Sequence, residues 1–180
     1  MIAPPDCMVD IETIDTKPTA AILSIAAVRF DALSRGQNVS TKEILIDLDS
    51  CFGAGLTHDD GTIAWWGRQN EAVKFKAFEA GPRLLLADAL ADLTSFMAGS
   101  SRIWCQGMNF DAPILENAYR AVGLNIPWNY WQWRDSRTLL SFYSDLPKKD
   151  KNAHDAVYDA TWQAEMVQLC IKKIGLENLR

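Results

Sequence analysis

The sequence predicts an α/β fold, a mixed β-sheet with helices packed on it, and three observations carry that prediction. Short apolar runs crowd the first fifty residues, later apolar positions recur at helical spacing, and the chain closes on one long amphipathic stripe. Cys7–Glu12 is a short apolar run with a carboxylate at alternate positions, which suits a strand. Ile22–Phe30 and Glu43–Leu48 read as further strands, with the turn residues Ser34, Arg35 and Gly36 between them marking a hairpin or meander. Leu84–Met97 repeats Leu85, Ala89, Leu93 and Phe96 at helical spacing and meets a stop signal at Gly99. Arg102–Gln106 is then a short buried strand ending at Gly107. Asp111–Val122 reads as helix from Ile114, Leu115 and Ala118, and Asp135–Tyr143 as a short helix. The last helix is the clearest: Ala153, Ala156, Ala160, Ala164, Val167, Ile171 and Ile174 advance in steps of three or four.

The 180 residues suffice for one core, and no repeat or linker divides them, so one domain over residues 1–180 is expected. With 48% hydrophobic and 23% charged residues the chain matches a soluble globular protein. Apolar stretches such as Ala20–Phe30 are interrupted by Ser24 and Arg29 and are too short for a bilayer, so no membrane association is expected. The N-terminal MIAPPDCMVD lacks the basic region of a secretory signal. Cys7, Cys51, Cys105 and Cys170 form no C-x-x-C pair and read as reduced, buried thiols of a cytoplasmic protein rather than a zinc site. A net charge of −5 argues against a broad nonspecific groove for nucleic acid. It does not exclude an enzyme that reaches phosphates through divalent cations, because clustered carboxylates lower the net charge and bound metal reverses the local field.

Three carboxylate elements are spread along the chain. Asp10 and Glu12 are two apart, so a strand points both to one face and turns Val9 and Ile11 to the other. Two adjacent acids on a core strand repel and are costly to desolvate, and a cation between them removes both problems. An edge strand whose acids face water would equally explain the pair. Asn109-Phe110-Asp111 follows the strand ending at Gly107, where a chain leaving a sheet for a helix often forms a site. Asp111 could also be a helix N-cap. His154 and Asp159 are five apart, about 140° around a helix, so they converge only if His154 precedes the helix or opens it. Asn152 as N-cap, with Asp155 at the third helical position, would place the boundary there; Asp155 is the rival to Asp159 as a ligand.

Taken together, Asp10-Ile11-Glu12-Thr13, Asn109-Phe110-Asp111 and His154 with Asp159 resemble the three motifs of the DEDD exonuclease superfamily, in its histidine branch. Tyr158 is followed four positions later by Trp162, not Asp, so the tyrosine branch does not fit. Trp65-Trp66-Gly67-Arg68-Gln69 and Arg134–Thr138 are similar to exodeoxyribonuclease VIII-like phage and prophage proteins and to polyadenylate-specific exoribonucleases. The resemblance implies an RNase H-like fold, a five-stranded mixed sheet flanked by helices, and 3′→5′ exonuclease activity on single-stranded DNA or RNA.

It also implies two Mg²⁺ ions, with Mn²⁺ also active. Asp10 would bridge them, Glu12 and Asp159 would complete one site, Asp111 would help hold the other, and His154 would take the proton from water. Thr13, Ile14, Asn109 and Phe110 would lie against the terminal nucleotide. Trp65 and Trp66, with the cluster of Trp128, Tyr130, Trp131 and Trp133, are candidates for stacking on bases, although most aromatics in a domain are core. Trp131 and Trp133 could equally fill a homodimer interface. A phosphodiesterase for short oligonucleotides, or a binding module of the same fold without catalysis, are the competing expectations.

Overall fold

The computed structural model describes residues 4–34, 40–149 and 154–175. Five strands form a mixed sheet in the order β3-β2-β1-β4-β5, flanked by helices, so the expected architecture is the one observed. β1 (Asp6–Thr13) is central, antiparallel to β2 (Ile22–Phe30) and parallel to β4 (Arg102–Cys105). β3 (Ser40–Leu45) pairs antiparallel with β2, and β5 (Trp133–Asp135) parallel with β4.

The alternation of side chains along β1 divides the interior into two cores. Cys7, Val9 and Ile11 face the larger one, filled by α4 (Leu86–Met97) and α5 (Met108–Ala121) through Leu90, Leu93, Ile114 and Leu115. Leu90 and Leu93 are fully buried, and truncating either to Ala should cost about 2–5 kcal/mol. Met8 faces the smaller core with Ala26, Val28 and Trp104, where α7 (Ala156–Ile174) lays its Ala156, Ala160 and Ala164 stripe against the sheet. Asp10 and Glu12 continue the Met8 face. Opposite them on β2 stand Ala26 and Ser24, small residues that leave room beside the carboxylates.

Several boundaries differ from the sequence reading. The third strand ends at Leu45 rather than reaching Leu48, because Leu48 opens α1 (Leu48–Gly53), capped by Asp47. α2 (Asp60–Trp66) and α3 (Glu71–Phe78) follow, capped by Asp59 and Asn70. Only Trp66 in α2, and only Val73 and Ala77 in α3, are buried, so neither shows an apolar stripe. Asp135 belongs to β5 and caps a shorter helix, α6 (Ser136–Leu140), than the expected Asp135–Tyr143. Asp155, not Asn152, caps α7, its carboxylate accepting from the amides of Val157 and Tyr158. Arg35, Gly36, Asn152 and Ala153 lie outside the described residues. Among those described, no helix is long and apolar enough to cross a membrane, and all four cysteines are buried free thiols.

The aromatic cluster near β5 is split. Trp128 and Trp133 are core residues packed edge to face, while Tyr130 and Trp131 are 82% and 60% exposed. Trp131 and Trp133 therefore do not present one common surface.

Candidate active site

Strand and helix termini converge where β1 and β4 end. Asp10 and Glu12 come from β1, Asp111 from the first turn of α5, Asp159 from the first turn of α7, and His154 from the segment just before α7. Together with Thr13, Phe110, Trp65 and Trp66 they line a cleft of ≈ 570 Å³. Asp111 is not the helix cap: α5 starts three residues earlier, after Gly107 at φ 122°, so Asp111 is the fourth helical residue and its side chain is buried in the cleft wall.

Asp10 and Glu12 lack the donors that carboxylates inside a protein ordinarily have. Asp6, at the other end of β1, shows the ordinary case: it is fully buried yet accepts from Arg102 at 2.5 and 2.7 Å, from Trp104 Nε1 at 2.7 Å and from the Ala32 amide at 2.9 Å. Asp10 has one side-chain donor, Gln163 Nε2 at 2.7 Å. Among the described residues, nothing donates a hydrogen bond to Glu12. Asp159 accepts the His154 amide at 3.0 Å and pairs with Lys149 Nζ at 2.8 Å. Burial, reinforced by Asp111 and Asp159, raises the Asp10 carboxyl well above its ordinary range. Burial and then Asp10 do the same to Glu12. Asp111 is pushed up to about 7, chiefly by burial, against the amides of Asp111 and Ile11 that favour its charged form. Such a set is short of positive charge, and its hard oxygen donors suit divalent cations. Glu12, His154 and Asp159 each bring one ligand atom within 4.8 Å of the others, so they fit a cation best.

His154 is held from two directions. Its backbone adopts φ 72°, which is uncommon for a side chain of this size, and its amide is tied to Asp159. Its ring meets Trp65 edge to face at 4.7 Å. The next residue, Asp155, is anchored by Lys76 Nζ at 2.7 and 2.8 Å, and Lys76 also pairs with Glu43 of β3 at 2.9 Å. Asp155 is thus a cap and an anchor for the turn, and it lies outside the cleft. Burial lowers the imidazole pKa from 6.5, against the opposing pull of Asp159.

The residues expected against a nucleotide divide. Thr13, Phe110 and Trp65 line the cleft; Trp66 also borders it but is nearly buried, its Nε1 donating to the Thr13 carbonyl at 2.8 Å. Ile14 is in the core, and Asn109 is exposed beside the cleft without lining it. Gln163, Lys149, Gln106 and Arg137 also stand at the site, and no motif in the sequence marks them. Gln163 could have been found, since it sits one helical turn beyond Asp159. The others depend on which loops meet, and no spacing announces that.

The five-stranded mixed sheet, shared with known exonucleases, and the family model that the chain matches define the class as a 3′-5′ exonuclease. More particularly, the chain belongs to the Rv2179c-like 3′-5′ exoribonuclease domain family, whose model matches residues 5–171. It is 25% identical over 215 residues to the exodeoxyribonuclease of Enterobacteria phage T4, covering 96% of this chain and 92% of that one. The fold is similar to E. coli ExoI in its zinc-bound complex with single-stranded DNA (TM-score 0.68, 15% identity, 96% of this chain). The chain spans 41% of the length of that ExoI chain. It is similar too to the nuclease domain of 3′hExo, a DEDDh family member bound to rAMP (TM-score 0.66, 13% identity, 96% of this chain and 93% of that one). S. pombe Pop2p, in a form with Mg²⁺ and Mn²⁺ bound, shares the fold (TM-score 0.60, 11% identity, 98% of this chain and 86% of that one).

Proposed function

We propose that this exonuclease hydrolyses the terminal phosphodiester at the 3′ end of single-stranded nucleic acid, releasing nucleoside 5′-monophosphates, with two Mg²⁺ or Mn²⁺ ions held by Asp10, Glu12, Asp111 and Asp159. The observation that carries this reading is the group of four carboxylates, Glu12, Asp111 and Asp159 buried and Asp10 half-buried, opening onto a cleft beside His154. When bound, divalent cations there supply a nucleophile at neutral pH and relieve charge on the leaving 3′-oxygen. His154 takes the proton of the attacking water. Its lowered pKa keeps the ring neutral, and so able to accept, near pH 7. Trp65 and the Asp159–amide contact fix the ring's direction, and its exposed side returns the proton to solvent. Thr13, Trp65 and Phe110 offer the walls for a terminal nucleotide, and a site of stacking surfaces tolerates different bases. The buried thiols support a reducing, cytoplasmic setting.

Digestion of 5′-labelled single-stranded DNA, RNA and poly(A) side by side, with Mg²⁺ or Mn²⁺ and then with EDTA, tests the reading. A ladder shortening from the 3′ end, lost in EDTA, is expected. Equal activity in EDTA would remove the metal assignment.

A further inference from the structure

Arg137 is the one permanently cationic side chain lining the cleft among the described residues, where five carboxylates also face the same space. A guanidinium in that company is expected to collapse onto a carboxylate. It does not. Its Nη2 donates to the Gln106 carbonyl at 3.0 Å; its charge reaches Asp111, but among the described residues no carboxylate hydrogen-bonds to it. One of its five N–H donors is used in this way, and the side chain remains exposed.

The surroundings fix it there. Asp135 caps α6 by accepting the Arg137 amide at 2.8 Å, which sets where the side chain leaves the helix. The guanidinium then lies on the turn between β4 and α5, with Nη2 3.2 Å from where a Cβ on Gly107 would stand. A Cβ at 107 would make it give by a few tenths of an ångström, besides being strained at φ 122°. Next to it Gln106 lines the cleft with its Oε1 buried and unpartnered, a second polar group with incomplete hydrogen bonding. Arg137 and Gln106 belong to the β4–β5 side of the site. Trp65 and His154, with their support from Lys76 and Glu43, belong to the β3 side. A terminal nucleotide against Thr13 and Trp65, with its scissile phosphate over the carboxylates, would leave Arg137 on the opposite side of the same cleft, within the space the strand has to cross.

We propose that Arg137 grips the phosphate one step 5′ of the scissile bond, through the planar, two-pronged geometry that a guanidinium offers a phosphate. This rests on the exonuclease reading and adds a specific contact to it. The role would let an acidic protein hold its polyanionic substrate by one placed cation rather than by a basic groove.

The test pairs a protein change with a substrate change. A single-stranded oligonucleotide, of whichever sugar the wild type degrades, carries one neutral methylphosphonate linkage next to the terminal phosphodiester, and removal of only the first nucleotide is read in Mn²⁺. For wild type the neutral linkage should lower kcat/KM by roughly 10- to 100-fold, the range of a hydrogen bond to a charged group. For Arg137→Gln the same substitution should cost little more, and Arg137→Lys should restore part of the dependence. The salt dependence of strand binding should also weaken in Arg137→Gln by about 0.7 in log K per log salt. An unchanged penalty in Arg137→Gln, or no penalty in wild type, would overturn the assignment while leaving the exonuclease intact. A wild type that degrades neither strand would instead remove the exonuclease reading, and this contact with it.

Discussion

Replacing Asp111 by Asn in the metal-free protein should make it more stable at alkaline pH, a result opposite to that expected for an ordinary buried polar group. Asp111 is 5% exposed, and its carboxyl is raised from 3.8 to about 7, chiefly by loss of solvation. The folded chain therefore keeps a proton that the unfolded chain releases. Its contribution to stability is full below 3.8 and is lost as pH rises toward about 7. Across that window the loss amounts to roughly 4 kcal/mol, a ceiling because Asp10 and Glu12 share the repulsion. The substituted amide does not titrate and can still accept the backbone N–H groups. In EDTA the mutant and wild type should melt together at about pH 3 and diverge as pH rises past 3.8. At pH 8 the mutant should melt higher, by at most about 8–16 °C for a domain of this size. Saturating Mn²⁺ should reverse the order, because wild type gains roughly 2.7 kcal/mol at a hundredfold excess over the dissociation constant and the mutant gains less. Scanning calorimetry in EDTA from about pH 3 to 8.5 reads this directly. Superimposable curves, or a mutant that melts lower at pH 8, would make Asp111 a structural residue of the first turn of α5 and not a destabilising charge.

His154→Ala should lower the single-turnover rate by about 10²–10⁴-fold at saturating metal. The wild-type rate should rise with pH below 6.5, where the imidazole loses its proton, and the mutant should lack that limb. Lys76→Met removes the anchor under Asp155 and should lower kcat while leaving KM nearly unchanged, since Lys76 lies behind His154 rather than in the cleft. A change confined to melting temperature would give Lys76 a purely structural part.

How much of this was legible in the sequence depends on the residue. Alternation along Cys7–Glu12 puts Asp10 and Glu12 on one face, because a strand leaves no other arrangement, and tertiary packing turns that face toward α7. The Ala156/Ala160/Ala164 stripe located α7, and Asp159 follows from its place beside that stripe. Asp111 was legible as a strand-end residue but not as a fourth helical residue, because Met108-Asn109-Phe110 lacks the apolar spacing that marks a helix start. α2 and α3 hide for the same reason: each buries too little to write a periodicity, though Asp59 and Asn70 are the side chains that cap them. Arg137 was visible only as part of a segment. Its meaning comes from Gly107, thirty residues earlier, and a contact of that range leaves no local pattern.

The most direct measurement is the fate of two substrates of one sequence, a linear single strand with a free 3′-hydroxyl and the same strand closed into a circle, incubated with wild type and Asp10→Ala in Mg²⁺ and in EDTA. Mononucleotides should appear from the linear strand with wild type and metal alone, and the circle should stay intact throughout. Cutting of the circle, or wild-type turnover by Asp10→Ala, would contradict it.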